Sequence, residues 1–124
     1  MIDLFNLKDK VVVITGAAGL LGYKHAEAVA SYGANPVLLD LSQKKVDNIA
    51  VKLNKQFKVN AIGFEVDITN EAQIENNVKL ILNHFGKIDC LINNAANNPK
   101  VEDNLDVNFS RLENFPLDIW LNDL

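Results

Sequence analysis

The sequence predicts an α/β fold, a doubly wound parallel sheet of about four strands with helices on both faces. Three observations predict it. Short apolar runs rich in β-branched residues alternate with longer segments of helical period along most of the chain. The runs are apolar throughout rather than at every second position, as in strands buried on both faces. The first of them breaks into glycines at three-residue spacing, Gly16, Gly19 and Gly22, from which a helical pattern sets out. Such alternation calls for right-handed crossovers, and the expected strand order is 3-2-1-4.

Residues 1–9 form a lead-in, where Leu4, Phe5 and Leu7 are expected to cover one end of the sheet. Residues 11–14 (Val-Val-Val-Ile) are the first strand, and Thr15 opens the glycine turn. Over residues 20–32 the apolar positions Leu21, Ala28, Val29 and Tyr32 fall near helical spacing, and Gly33 supplies the stop. Residues 37–40 are a second strand that ends in the carboxylate of Asp40. Ser42 is expected to cap a second helix, whose stripe Val46, Ile49, Ala50 and Leu53 repeats at i, i+3, i+4 and i+7.

Residues 59–66 read as the third strand, followed by Asp67-Ile68-Thr69. Asn70 caps a third helix with Gln73 at the capping-box position; its stripe is Ile74, Val78, Ile81, Leu82 and Phe85, and Gly86 ends it. Residues 88–92 are the fourth strand, running into Asn93-Asn94-Ala95-Ala96. Residues 97–114 are polar and asparagine-rich and read as loop, with one short turn over 110–113. Pro116 suits the first position of a helix that includes Leu117, Ile119, Trp120 and Leu124. With no repeat and no linker, residues 1–124 read as a single domain.

A chain of 124 residues with 48% hydrophobic content can bury a real core. Its net charge of −4, with scattered lysines, offers no basic surface for nucleic acid or anionic lipid. The lone Cys90 rules out an internal disulfide and, lying in an apolar run, is expected to be a buried structural thiol; this fits a reducing cytoplasm. No apolar run reaches bilayer length and the N-terminus lacks a signal-peptide pattern, so a soluble, cytoplasmic protein is expected.

The glycine turn carries the chemistry. One glycine lets the chain reverse, one lets bare backbone approach a pyrophosphate, and one lets the helix sit close on its strand. Free N–H groups and the positive end of the helix dipole then face the anion. Asp40, at the end of the second strand, can accept hydrogen bonds from both hydroxyls of an adenosine ribose and would repel a ribose 2′-phosphate. No arginine stands beside it, although Lys44 and Lys45 follow closely, so NAD(H) is favoured over NADP(H). Asp67 can bond its own turn at Thr69 and Asn70, and the amides of Asn93 and Asn94 can tie neighbouring strands together. His25 and His84 lie within helices with no further ligand at metal spacing, so no metal site is expected. Phe109, Phe115 and Trp120 read as packing residues, and Thr15 and Ser42 as turn and cap.

With these residues in view, the chain resembles the N-terminal, cofactor-binding half of a short-chain dehydrogenase/reductase, a family of NAD(P)-dependent oxidoreductases on a Rossmann fold. Residues 15–22 (Thr-Gly-Ala-Ala-Gly-Leu-Leu-Gly) match the family's cofactor turn, at the spacing of its extended subfamily, with Leu20 where the other form has its penultimate glycine. Asn93-Asn94-Ala95-Ala96 resembles the family's Asn-Asn-Ala-Gly element, and Asp67-Ile68-Thr69 the element that holds adenine. The segment from Phe115 to Trp120 resembles the family's entry into the helix after strand four.

The resemblance implies that Gly16, Gly19, Leu20, Leu21 and Gly22 hold the pyrophosphate, Asp40 the ribose, Asp67 and Ile68 the adenine, and Asn94 with Ala95 the adjoining edge of the cofactor. Members transfer hydride with a serine and a Tyr-x-x-x-Lys pair. Here Tyr23 is followed four places on by Glu27 and Tyr32 by Pro36, so no catalytic residue is expected among these 124. The expectation is the NAD(H)-binding part of an oxidoreductase of alcohols or ketones, truncated and inactive alone. The rival readings are a non-catalytic nucleotide-binding or subunit-interaction module, and an inert gene fragment. A sheet that ends at strand four exposes an edge, which a homo-oligomer or a partner is expected to cover.

Overall fold

The computed structural model describes residues 4–97 together with Leu117 and Leu121. Its elements run β1 (Val11–Thr15), α1 (Leu20–Ser31), β2 (Asn35–Asp40), α2 (Gln43–Phe57), β3 (Ile62–Glu65), α3 (Glu71–Phe85) and β4 (Cys90–Ile92). All pairings are parallel and the order is β3-β2-β1-β4, as the alternation predicts. Val13 at the centre lies beside Val37 on one side and Leu91 on the other.

Successive residues of β1 serve opposite faces. Val12 and Ile14, with Leu38 of β2, pack against Ala26 and Ala30 of α1 and Val46, Ala50 and Leu53 of α2. Val11 and Val13, with Val37 and Leu39, pack against Ile81 of α3 and Val66. Both faces of β1 are therefore core, which is why its sequence is apolar at every position. Ile14 and Leu38 are wholly buried, each stabilising the fold by about 2 kcal/mol.

The helices meet the sheet differently. In α1 the buried residues are Gly22, Ala26 and Ala30, whereas Leu21, Ala28 and Tyr32 of the expected line are exposed. The helix lies too close to the β1 turn for large side chains on its inner face, as a Cβ on Gly22 would stand 2.1 Å from the Gly16 carbonyl oxygen. In α2 the expected stripe holds, with Val46, Ala50 and Leu53 buried and Ile49 packed beside them.

In α3 only Ile81 of the expected stripe is buried and Phe85 half-buried; Ile74, Val78 and Leu82 are exposed, and Asn77 is buried instead. Among the described residues nothing covers the flank where those three sit.

The caps also depart from the sequence expectation. The Ser42 side chain makes no capping bond. Instead the Glu65 carboxylate, at the end of β3, accepts the Gln43 N–H at 3.3 Å. At α3 the Asn70 side chain accepts the Gln73 N–H at 3.1 Å as expected, but Gln73 Oε1 accepts the Asp67 N–H at 2.8 Å rather than returning to Asn70.

α2 closes the outer edge of β3 with its amides. Asn54 pairs with both backbone groups of Ala61, at 2.6 and 2.9 Å. Gln43 accepts the Glu65 N–H at 2.8 Å and donates to the Gly63 carbonyl at 2.9 Å. Ala61, Gly63 and Glu65 are alternate residues, the ones a parallel strand turns away from its neighbour, so these amides stand in for a missing strand. The opposite edge, β4, has no such cover among the described residues. Cys90 is accordingly exposed rather than buried, and Leu91 is 54% exposed.

Among the described residues of the lead-in only Leu7 joins the core; Leu4 and Phe5 are exposed, with the Phe5 ring 6.3 Å from that of Tyr32. Leu117 and Leu121 are helical, as Pro116 predicts for that stretch, while the loop and turn expected before them and the aromatics Phe109, Phe115 and Trp120 lie outside the described residues. No helix among the described residues is long and apolar enough to cross a membrane.

Candidate functional site

Parallel strands deliver their C-terminal ends to one side of the sheet, and there the loops after β1, β2, β3 and β4 bring the sequence-predicted residues. Gly16 leaves β1 at φ +61°, a left-handed conformation that disfavours any side chain. A Cβ at Gly16 would also stand 2.9 Å from the Ala95 Cα, so the chain after β4 packs directly on the turn. Gly19 is less demanding, with φ −76° and a Cβ that would stand 3.3 Å from the Gly16 oxygen, a tight contact that a shift of a few tenths of an ångström relieves. Leu20 begins α1 in ordinary helical backbone, which is why a leucine is tolerated there.

The turn is held from two sides. On the β2 side, the Ala17 N–H donates to the Leu39 carbonyl at 3.0 Å and the Ala18 N–H to Asp40 Oδ2 at 2.9 Å. The other Asp40 oxygen accepts the Leu41 N–H at 2.8 Å. Asp40 is therefore fixed in place by the turn it serves, half-buried, with acceptor capacity left on both oxygens.

On the β4 side the fixing group is Thr15. Its buried hydroxyl accepts the N–H groups of Asn94 and Ala95, both at 3.0 Å, and donates to the Ile92 carbonyl at 3.4 Å. Asn94 Nδ2 answers by donating to the Thr15 and Gly16 carbonyls, at 3.1 and 3.2 Å. The tying role expected of the amides thus falls to Asn94. Sequence reasoning reads Thr15 as a turn residue only; the signal for its larger part was its place between the last strand residue and the first glycine.

Within this frame the N–H groups of Leu20 and Leu21 have no acceptor among the described residues, and the first turn of α1 holds no acidic side chain. A helix start with unpaired donors and no internal anion can take a phosphate. The Leu20 and Leu21 side chains, both exposed, flank it.

Asp67 and Ile68 sit at the end of β3, one strand further out. Asp67 Oδ1 accepts both the N–H and the hydroxyl of Thr69, at 2.9 and 2.7 Å. Those bonds, the hydroxyl first, hold its carboxyl below the ordinary carboxylate range. Asp67 thus shapes its own turn, and Ile68 is left exposed beside it. Among the described residues no three of His, Cys, Asp or Glu are grouped so as to hold a metal ion. His84 instead faces Asn60, with Nε2 3.1 Å from the amide nitrogen, and meets the Phe85 ring in a T-shaped contact.

A parallel α/β sheet with a glycine turn leading into an open helix start, and a carboxylate closing the neighbouring strand, defines a dinucleotide-binding type of domain. Comparison with known proteins narrows this. The family model for short chain dehydrogenase matches residues 10–115, and the chain belongs to that family. It is 32% identical over 108 residues to short-chain dehydrogenase reductase 3b of Arabidopsis thaliana, covering 87% of this chain and 41% of that protein. Among solved structures, NAD+-bound xylitol dehydrogenase superposes with a TM-score of 0.70 at 31% identity, over 73% of this chain and 35% of that one. L-Sorbose reductase from Gluconobacter frateurii, complexed with NADPH and L-sorbose, gives 0.72 at 29%, over 82% and 40%. The chain thus spans about two fifths of the length of the curated relatives it matches.

Proposed function

We propose that this chain is the NAD(H)-binding portion of a short-chain dehydrogenase/reductase acting on an alcohol or ketone. The observation that carries the reading is the pair of N–H groups at Leu20 and Leu21, without an acceptor among the described residues, in a turn locked by Asp40 on one side and by Thr15 with Asn94 on the other. The residues fit the cofactor: Gly16 and Gly22 leave backbone bare where a side chain would collide, and the first turn of α1 has no internal anion.

In this reading Gly16, Gly19, Leu20, Leu21 and Gly22 receive the pyrophosphate, and Asp40 accepts the ribose hydroxyls. Asp67 and Ile68 border the adenine, with Ile68 supplying apolar surface and Asp67 the shape of the turn. Asn94 and Ala95 line the adjoining edge. The bound nicotinamide supplies or accepts the hydride. The acid–base pair is a separate matter: neither Tyr23 nor Tyr32 is followed by lysine at the fourth place, and both belong to the α1 region rather than to the chain after β4. These 124 residues alone therefore turn nothing over. NAD(H) is preferred because Asp40 repels a 2′-phosphate.

Calorimetric titration with NADH and NADPH tests the reading. NADH binding that exceeds NADPH binding, with the preference abolished in Asp40→Ala, supports it; equal binding of both removes the cofactor preference, and binding of neither removes the site.

A second reading, a subunit-interaction module, is favoured by the β4 edge, where Cys90 and Leu91 are exposed among the described residues, as are Val78 and Leu82 of α3. A second copy or a partner covering that edge would satisfy its backbone groups. Light scattering that reports a monomer at high concentration counts against the second copy.

A further inference from the structure

The cofactor preference has been assigned to Asp40 alone, but a second carboxylate stands next to it. Asp40 and Glu65 are register partners at the C-terminal ends of β2 and β3. Partners in a parallel ladder direct their side chains to the same face, so both acids leave the sheet on the side that carries α1 and α2. Among the described residues neither takes part in an ion pair.

Glu65 also fills a particular place. Asp40 is followed by only two residues, Leu41 and Ser42, before α2 begins at Gln43. A phosphate esterified to a ribose hydroxyl held by Asp40 would lie beside that helix start, whose free N–H groups would otherwise attract it. Ser42 contributes no side-chain cap, and the Gln43 N–H is taken instead by Glu65 Oε2 at 3.3 Å. The Gln43 side chain, bonded to the Glu65 N–H at 2.8 Å and to Gly63 at 2.9 Å, keeps helix and strand in that relation. An internal carboxylate thus sits where a 2′-phosphate would seek its donors. Lys44 and Lys45, exposed on the same turn, are the opposing charges.

Resting on the NAD(H) reading above, we infer that Glu65 is a second specificity-determining residue: it excludes a 2′-phosphorylated adenosine ribose by occupying the α2 start and adding a negative charge beside Asp40. It leaves the unphosphorylated ribose unaffected, because that ribose needs nothing from Gln43.

The test is calorimetry of the 124-residue chain with ADP-ribose and with 2′-phospho-ADP-ribose, for the wild type, Glu65→Gln and Glu65→Ala. Glu65→Gln removes the charge but keeps an oxygen for Gln43, and it is expected to raise affinity for the phosphorylated probe about fivefold while leaving ADP-ribose binding unchanged. Glu65→Ala also frees the Gln43 N–H and is expected to gain more. The wild-type preference for ADP-ribose should narrow as salt rises, and less so in Glu65→Gln. A structural role alone would lower affinity for both probes together. Wild-type discrimination that persists unchanged in both variants overturns the inference while leaving the half-site standing. Failure of the wild type to bind either probe overturns the half-site itself, and the inference with it.

Discussion

Asn94 grips Thr15 twice: its backbone N–H donates to the threonine hydroxyl at 3.0 Å, and its side-chain amide donates to the threonine carbonyl at 3.1 Å. The two residues are 79 positions apart, so this pair joins the first strand's end to the fourth's and fixes the mouth of the glycine turn. Thr15→Val keeps the shape but leaves the Asn94 and Ala95 N–H groups without their acceptor, and it should cost about 2 kcal/mol of stability. Thr15→Ser should cost far less. Urea midpoints for the two variants check the difference, and equal losses would mean that the hydroxyl is dispensable.

The glycines of the turn should tolerate substitution unequally. Gly22→Ala forces a Cβ to 2.1 Å from the Gly16 oxygen, so α1 must move off the turn, at a cost of about 3 kcal/mol. Gly19→Ala places its Cβ at 3.3 Å with an ordinary φ of −76°, and about 1 kcal/mol or less is expected. Thermal unfolding of both variants measures the contrast.

Asn77 sits at 4% exposure in α3, and among the described residues its amide nitrogen has no hydrogen-bond partner. A buried donor without a partner is a standing penalty, and leucine has a similar shape. Asn77→Leu should therefore stabilise the chain by about 1 to 2 kcal/mol, read as a raised urea midpoint. An unchanged or lowered midpoint would show that the amide is satisfied in solution.

At the end of the sheet remote from the site, Asp89 accepts the Val11 N–H at 2.8 Å and pairs with Lys87 at 2.9 Å. The Val11 bond first, then the Lys87 bond, lowers its carboxyl below the ordinary value of 3.8. With the folded value depressed, the stabilisation is present above that ordinary value and is lost as pH falls through the folded one. Asp89→Asn should lower stability at neutral pH and shrink the loss between neutral pH and about pH 3, as denaturant midpoints at the two pH values would show.

Much of this was legible in the sequence, for physical reasons. β1 and the α2 stripe of Val46, Ala50 and Leu53 follow from local periodicity, and strand order follows from alternation. Contacts between distant residues were not legible. The α2 start is served by Glu65, 22 residues from Gln43, rather than by the adjacent Ser42. The inner face of α1 is Gly22, Ala26 and Ala30 because the helix approaches β1 closely, a fact of packing that hydropathy ranks the wrong way. The exposure of Cys90, Val78 and Leu82 depends on contacts from outside their own elements, which no pattern within those elements records.

The proposed half-site for the adenosine diphosphate end of NAD(H) is the start of α1 with Asp40 beside it. Its most direct test follows the backbone amide resonances of the chain during titration with ADP-ribose. The Leu20 and Leu21 amides should shift most, together with Leu41, whose N–H shares the Asp40 carboxylate, and the Asp40→Ala variant should lose these shifts. Saturable binding with shifts confined elsewhere, or no shifts at these amides at millimolar ADP-ribose, would contradict it.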